Sequence, residues 1–230
     1  SVQGADGPRE IVIRPIRNRE ERQLLYLEEI EHRQHYVEEA SQGRVAYIHI
    51  QSMDGRSVES FERDLFAQAH GKDALVLDVR DNGGGWTTDI LLSSLTAPNH
   101  ATTIPRDGGR GYPQDRRLIY AWTKPIAVLC NEYSYSNAEI FSWSIRTTQR
   151  GPVVGEQTYG AVISTGGTSL GDGTWLRLPF RGWYTNLDGS GMEDHGCMPD
   201  LRVENTPTAL VSGEDPQLAA AVMEALRQVR

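Results

Sequence analysis

The chain has 230 residues, 38% hydrophobic and 23% charged, which is typical of a folded globular protein. Its net charge of -8 argues against nucleic acid and anionic membranes as partners. No apolar run approaches the roughly 20 residues of a membrane-spanning helix. Cys130 and Cys197 have no metal-type spacing, so we interpret them as free thiols in a reducing compartment, with one disulfide as the alternative.

The predicted elements alternate between strand and helix along the chain. Strands are indicated by apolar runs or alternation, and helices by apolar residues at helical spacing. In chain order they are a strand at 9–16, a helix at 19–40, a strand at 45–51, a helix from 57 to about 70, a strand at 74–80, a helix at 87–95, a strand at 125–130, a helix at 136–149, strands at 152–156, 161–165 and 174–180, and a helix from 216. This order predicts an α/β protein with a mainly parallel sheet.

Residues 97–123 interrupt the alternation. They are rich in Pro, Gly, Thr and Arg and have little periodicity. A connection of this length within a compact domain is usually functional or mobile. We therefore expect this segment to be mobile or to control substrate access.

Two loops are expected to meet at one edge of the sheet, because ligands bind beyond the carboxyl ends of parallel strands. The first loop, DNGGGW, has glycines at 83–85 that would let backbone amides point into a cavity. An oxyanion site and a tight strand-to-helix turn are equally compatible with it. No phosphate-binding glycine pattern is present.

The second loop, NEYSYSNAEIF, places Ser136 where a buried strand gives way to a helix. A serine at a helix N-terminus is most often a cap. It can also be a nucleophile, since the helix dipole and the free amides there favour developing negative charge. The loop alone leaves both interpretations open.

The ordered motifs of the chain resemble the C-terminal catalytic region of tricorn proteases, which belong with the tail-specific serine peptidases. The resemblance covers about residues 20–230. It is carried, in order, by LVLDVRDNGGGW, NEYSYSNAEIF, VVGEQTYGAVIS, GMEDHGCMPDLRVE and GEDPQL. It implies a ClpP/crotonase-like fold of stacked ββα units with a mainly parallel twisted sheet.

The resemblance also implies roles for individual residues. Ser136 would be the nucleophile, and the amides of Asn137 and Gly84 would form the oxyanion hole, with Gly83 a weaker choice than Gly84. Glu193 matches the glutamate that orients a catalytic histidine through a bridging serine. Asn137 departs from the family, which often has an acid there, but a backbone amide does not depend on the side chain.

The motifs listed above do not include a catalytic base for Ser136. Ser/Lys relatives carry a lysine where this chain has Ala161, so that mechanism is excluded. The tricorn branch uses a histidine, which the family places in a segment before a PDZ-like domain. His195, two residues from Glu193, is the internal candidate. No metal-ligand spacing or cofactor motif is found, so we expect neither metal nor cofactor.

The expected arrangement is a remnant of the PDZ-like domain at 1–17 and a peptidase core at 18–230, as a fragment of a longer protein. The family implies peptide substrates, a homo-oligomer and a cytoplasmic location. One alternative is a catalytically inactive binding module, like the repeats of the interphotoreceptor retinoid-binding protein. Another is an acyl-CoA enzyme of the crotonase type, for which no CoA-binding pattern is seen.

Overall fold

The computed structural model describes residues 2–4, 7–9, 12–98, 106, 108 and 121–229. Most of the predicted loop at 97–123 therefore lies outside the described residues, and its predicted mobility stays a prediction. The elements are β1 Val2–Gly4, β2 Gly7–Arg9, α1 Asn18–Ala40, β3 Val45–His49, α2 Gly55–Ala67, β4 Ala74–Asp78, α3 Thr88–Leu95, β5 Ile126–Cys130, α4 Asn137–Thr147, β6 Val153–Gly155, β7 Ile163–Ser169, β8 Trp175–Gly182, β9 Leu201–Arg202, α5 Pro207–Val211 and α6 Pro216–Arg227.

The chain divides into two compact units, Ser1–Arg33 and Gln34–Arg230, and the division falls within α1. In the first unit, β1 and β2 form a short antiparallel pair. The strand predicted at 9–16 is wrong for residues 12–16, which have no regular structure, while residues 10 and 11 lie outside the described part. The predicted domain boundary after residue 17 stays a prediction.

The second unit is built on a five-stranded parallel sheet in the order β3-β4-β5-β6-β9. Side chains of α2, α3 and α4 pack in one apolar cluster with alternate residues of β3, β4 and β5. Helix α6 contacts β3 to β6 outside that cluster and covers the opposite face. Every residue of β4 and β5 is buried, as two covered faces require. The α/β class and the mainly parallel sheet are confirmed, and the ClpP/crotonase assignment stays a prediction.

A buried ionic cluster ties the end of β4 to the start of α6. Arg80 donates to Asp78 Oδ2 at 2.7 Å and makes a two-point contact with Asp215 at 2.9 Å for each oxygen. Tyr47 adds a hydrogen bond to Asp78 at 2.8 Å. Asp215 also caps α6 by accepting from Leu218 N. The cluster fixes the point at which the glycine loop leaves the sheet.

An antiparallel hairpin of β7 and β8, joined by a turn around Gly173, lies between β6 and β9 in the chain. Both cysteines are buried and free, as predicted. Burial raises the pKa of the Cys197 thiol to about 12, and burial with Cys197 nearby raises that of Cys130 well above its ordinary value. In the described part of the chain, no helix is long and apolar enough to cross a bilayer.

Candidate active site

The glycine loop after β4 is held by hydrogen bonds to the Asn82 side chain and to the backbone of Met53. The Asn82 side chain is fully buried, donates to Ile50 O at 2.6 Å and accepts from Gly84 N at 2.9 Å. Met53 flanks the loop, donating to Gly84 O at 3.0 Å and accepting from Trp86 N at 2.8 Å. Gly85 lies so close to Met53 that a Cβ there would fall 1.9 Å from the Met53 carbonyl oxygen.

The loop after β5 brings Ser134 and Ser136 to the same edge of the sheet, in different roles. Ser134 is fully buried, and its hydroxyl donates to Val79 O at 2.8 Å. Ser136 is half-buried and precedes the first residue of α4. Its backbone has φ 57 and ψ −113, a left-handed conformation that costs a non-glycine residue about 1–3 kcal/mol. Ser136 is the N-cap of α4 and pairs with Glu139 in a capping box, but a usual N-cap has extended backbone, so its geometry is not that of an ordinary cap.

The two loops are in direct contact. Tyr135 N donates to Asn82 O at 2.9 Å. A Cβ built on Gly84 would lie 2.8 Å from Ser136 Cβ and 3.0 Å from Asn137 N. Gly84 also has φ +85, so only glycine fits this position without strain. The structure thus brings Gly84, Ser136 and Asn137 together, as the motif order predicted.

The amides at this contact differ in their hydrogen bonds. Asn137 N, at the start of α4, has no partner in the described part of the chain, and its side chain instead accepts from Thr88 N and Oγ1 at 3.0 Å. Gly83 N has no partner among the same residues. Gly84 N, by contrast, is already bonded to Asn82. Asn137 therefore offers a free donor beside Ser136, whereas Gly84 must share or release a bond to act as one.

Glu193 and His195 lie on an exposed bend between two buried anchors, Met192 and Cys197. His195 Nδ1 is 2.8 Å from Glu193 O, and Nδ1 carries the hydrogen because a carbonyl can only accept. Asp194 N donates to Gly160 O at 2.9 Å, which docks the bend on the TYGA segment. No hydrogen bond joins His195 or Glu193 to Ser136 in the described residues.

Glu139 is the main feature that sequence reasoning missed. It is 0% exposed and accepts four hydrogen bonds. Its Oε1 accepts from Ser136 N and Ala161 N, each at 2.9 Å. Its Oε2 accepts from Thr158 Oγ1 at 2.7 Å and from Gly160 N. The spacing S-x-x-E of a capping box was the available signal.

Aromatic residues lie in both loops of the site and in the TYGA segment. The rings of Tyr135 and Tyr159 meet edge to face at 5.1 Å, and Tyr133, Tyr159 and Trp86 are largely exposed. Among the described residues, no group of three or more His, Cys, Asp or Glu side chains is placed to hold a metal ion. The site therefore offers a strained serine, free amides and an open aromatic surface.

Sequence comparisons relate the chain to known peptidases. The profile of peptidase family S41 matches residues 44–203. The chain is 34% identical to tricorn protease homolog 1 of Streptomyces coelicolor over 98% of its length, but covers only 21% of that protein. It is 32% identical to the tricorn protease of Thermoplasma acidophilum over 92% of its length and covers 19% of it. The chain thus spans about a fifth of these relatives.

Solved structures of peptidases also resemble this chain. A crystal structure of the tricorn protease matches 89% of this chain and 20% of its own with a TM-score of 0.79 at 30% identity. The photosystem II D1 C-terminal processing protease shares the fold, with a TM-score of 0.54 at 22% identity over 69% of this chain and 42% of its own. With a profile match over more than half of its residues, this chain belongs to peptidase family S41.

Proposed function

We propose that this chain is the nucleophile-bearing core of a tricorn-like serine peptidase that cleaves peptides through an acyl-enzyme. The observation that carries the proposal is the strained backbone of Ser136, held beside Gly84 and the free amide of Asn137. Strain of this kind persists only where the surrounding structure imposes it, and it is concentrated at functional sites. A serine that only capped α4 would have no need of it.

In the proposed reaction, a base takes the Ser136 proton while Oγ attacks the scissile carbonyl carbon. The carbonyl electron pair moves to oxygen, where backbone amides stabilise it. The tetrahedral intermediate then expels the amine, which receives the proton from the base. Water, deprotonated by the same base, attacks the acyl-enzyme and releases the acid and Ser136.

The proposed oxyanion donors are the Asn137 amide and one amide of the glycine loop. Asn137 N begins an eleven-residue helix, whose dipole adds to its effect. Gly84 lies closest to Ser136, but its N–H is held by Asn82, so Gly83 competes with it for the second role. One lost donor typically removes roughly 3 kcal/mol of transition-state stabilisation.

The proposed base is a histidine supplied by the segment that the family places before the PDZ-like domain, oriented by Glu193 through a bridging serine. The exposure of Glu193 on its bend leaves it accessible to such a segment. His195 is retained as the internal alternative, because the contact of its Nδ1 with Glu193 O leaves Nε2 as the nitrogen that could accept a proton in a neutral ring. Exposed Tyr133, Tyr159 and Trp86 suit contacts with peptide side chains. We further propose a homo-oligomer and a cytoplasmic location, which suits the two free thiols.

A fluorophosphonate probe tests the proposal, because it reacts only with activated serines. In the complete protein that carries this chain, mass spectrometry should place the adduct on Ser136, and Ser136→Ala should remove it. A binding module would remain unlabelled. Labelling elsewhere, or none at all in the complete protein, would rule out Ser136 as the nucleophile.

A further inference from the structure

Thr158 joins three segments of the site through one buried hydroxyl. The residue is 4% exposed. Its Oγ1 donates to Glu139 Oε2 at 2.7 Å and accepts from Cys197 N at 2.7 Å. Its backbone N also donates to Cys197 O at 3.1 Å. The hydroxyl therefore connects the first turn of α4 to the segment that ends the Glu193 bend.

The same series of hydrogen bonds extends from Thr158 to Ser136. Glu139 accepts from Ser136 N, so the hydrogen bonds run from Ser136 through Glu139 and Thr158 to Cys197. Close packing reinforces them, since a Cβ on Gly196 would lie 1.9 Å from Thr158 O. A carboxylate removed from water must have its lone pairs satisfied, so each bond fixes the position of its donor.

Resting on the proposed function, we propose that Thr158 and Glu139 are positioning residues that hold the Glu193 bend at a fixed place relative to Ser136. Neither side chain is required to touch the substrate. Acyl transfer needs the base and the nucleophile aligned, and a misplacement of 1 Å can lower the rate about 100-fold. Thr158 is thus expected to govern turnover and not substrate affinity.

A matched control separates this role from ordinary stabilisation by a buried threonine. Thr185 is 2% exposed, and its hydroxyl lies 3.1 Å from Thr147 Oγ1 and accepts from Leu187 N at 3.1 Å. It thus makes one side-chain and one backbone hydrogen bond, as Thr158 does. Its partner Thr147 ends α4, about 16 Å from the Ser136 end at 1.5 Å per residue.

The test compares Thr158→Val, Thr158→Ser and Thr185→Val in the complete protein that carries this chain. Thr158→Val is expected to lower kcat about 10- to 100-fold with KM changed by less than about twofold. Thr158→Ser, which keeps the hydroxyl, should retain kcat within about threefold. Thr185→Val should lose similar stability with kcat unchanged. Equal kcat losses in both valine variants, or no loss in Thr158→Val, would overturn the proposal.

Hydrogen exchange provides a readout that does not require activity. Thr158→Val should speed amide exchange in 158–161 and 192–198, whereas Thr185→Val should leave both segments protected. Unchanged amide exchange in Thr158→Val would overturn the proposal that Thr158 holds the Glu193 bend, even if no hydrolysis were measurable. If Thr158→Val does not fold, Glu139→Gln should reproduce the kcat loss, since an amide cannot accept all four bonds. Wild-type activity that survives Ser136→Ala would instead refute the proposed function.

Discussion

The amides of Ser136 and Ala161 donate to the same atom, Oε1 of Glu139, each at 2.9 Å. The shared acceptor places Ala161 directly beside the proposed nucleophile. The resemblance to the Ser/Lys relatives implies that their lysine corresponds to Ala161, so we expect this position to be close enough to Ser136 for a lysine amine to reach it.

Ala161→Lys is expected to make Ser136 of the 230-residue chain reactive. A positioned general base contributes roughly 10²–10⁴-fold, so the rate of fluorophosphonate labelling should rise by at least about 100-fold. Only the neutral amine can accept a proton, so the rate should increase with pH up to the pKa of the new lysine. Ala161→Met, of similar length without a base, is the control, and equal labelling of both variants would exclude a base effect.

Gly84→Ala is expected to remove activity, because its Cβ would lie 2.7 Å from Tyr135 O and 2.8 Å from Ser136 Cβ. The turn must then move, at a loss of about 100-fold or more in kcat. Gly83→Ala keeps the same backbone amide and meets nothing within 4 Å, so it should remain active. Peptide hydrolysis assays of both variants in the complete protein measure the difference in kcat. Comparable activities for the two variants would contradict the described contact.

The two serines of the NEYSYSN loop should respond in opposite ways. Ser134→Ala removes the donor to the buried Val79 carbonyl and should lower the free energy of unfolding by about 1–3 kcal/mol, with activity kept in the folded protein. Ser136→Ala should change stability by less than about 1 kcal/mol and abolish hydrolysis. Urea unfolding and peptide assays measure both effects. The reverse pattern would assign the nucleophile to Ser134.

Asp215 should contribute stability that depends on pH. Burial alone would raise its pKa, but Arg80 outweighs burial and holds the pKa below the ordinary value of 3.8. Stability from this pair is therefore complete at neutral pH and is lost as pH falls through the folded pKa. Asp215→Asn should destabilise the protein by about 2 kcal/mol at pH 7, with a smaller difference near pH 3.

The exposed pair of Arg44 and Asp73 supplies the control for this prediction. Asp73→Asn should lower the free energy of unfolding by no more than about 1 kcal/mol at pH 7. Urea unfolding at both pH values gives the comparison. A pH-independent difference between wild type and Asp215→Asn would show that the charge of Asp215 is not what stabilises the cluster.

Elements that depend on short stretches of the chain could be predicted from the sequence. Around 83–85 and 134–136, a buried apolar strand is followed by a loop and then a helix. Because both loops follow parallel strands, Gly84, Ser136 and Asn137 were correctly expected to meet. Helix α1 was predicted from apolar spacing, yet Leu24 is 57% and Leu27 52% exposed, because burial depends on neighbours that spacing does not specify.

The bonds of Thr158, Glu139 and Cys197 could not be predicted from the sequence. They join residues distant along the chain, and no local pattern reports such a meeting. The bond between Gly84 N and Asn82 was missed for a different reason. It lies within one loop, but whether a side chain turns back onto its own backbone depends on the loop conformation.

Peptide hydrolysis by the 230-residue chain, beside the complete protein, tests whether the catalytic base of Ser136 comes from outside these residues. We expect feeble turnover by the chain alone, since backbone amides without a base leave a residual acceleration of roughly 10³- to 10⁴-fold over water. The complete protein should be far more active, lose activity with Ser136→Ala, and be strongly impaired by Glu193→Gln. If the 230-residue chain matches the complete protein, an internal base exists, His195 becomes the residue to mutate, and the proposed origin of the base is wrong.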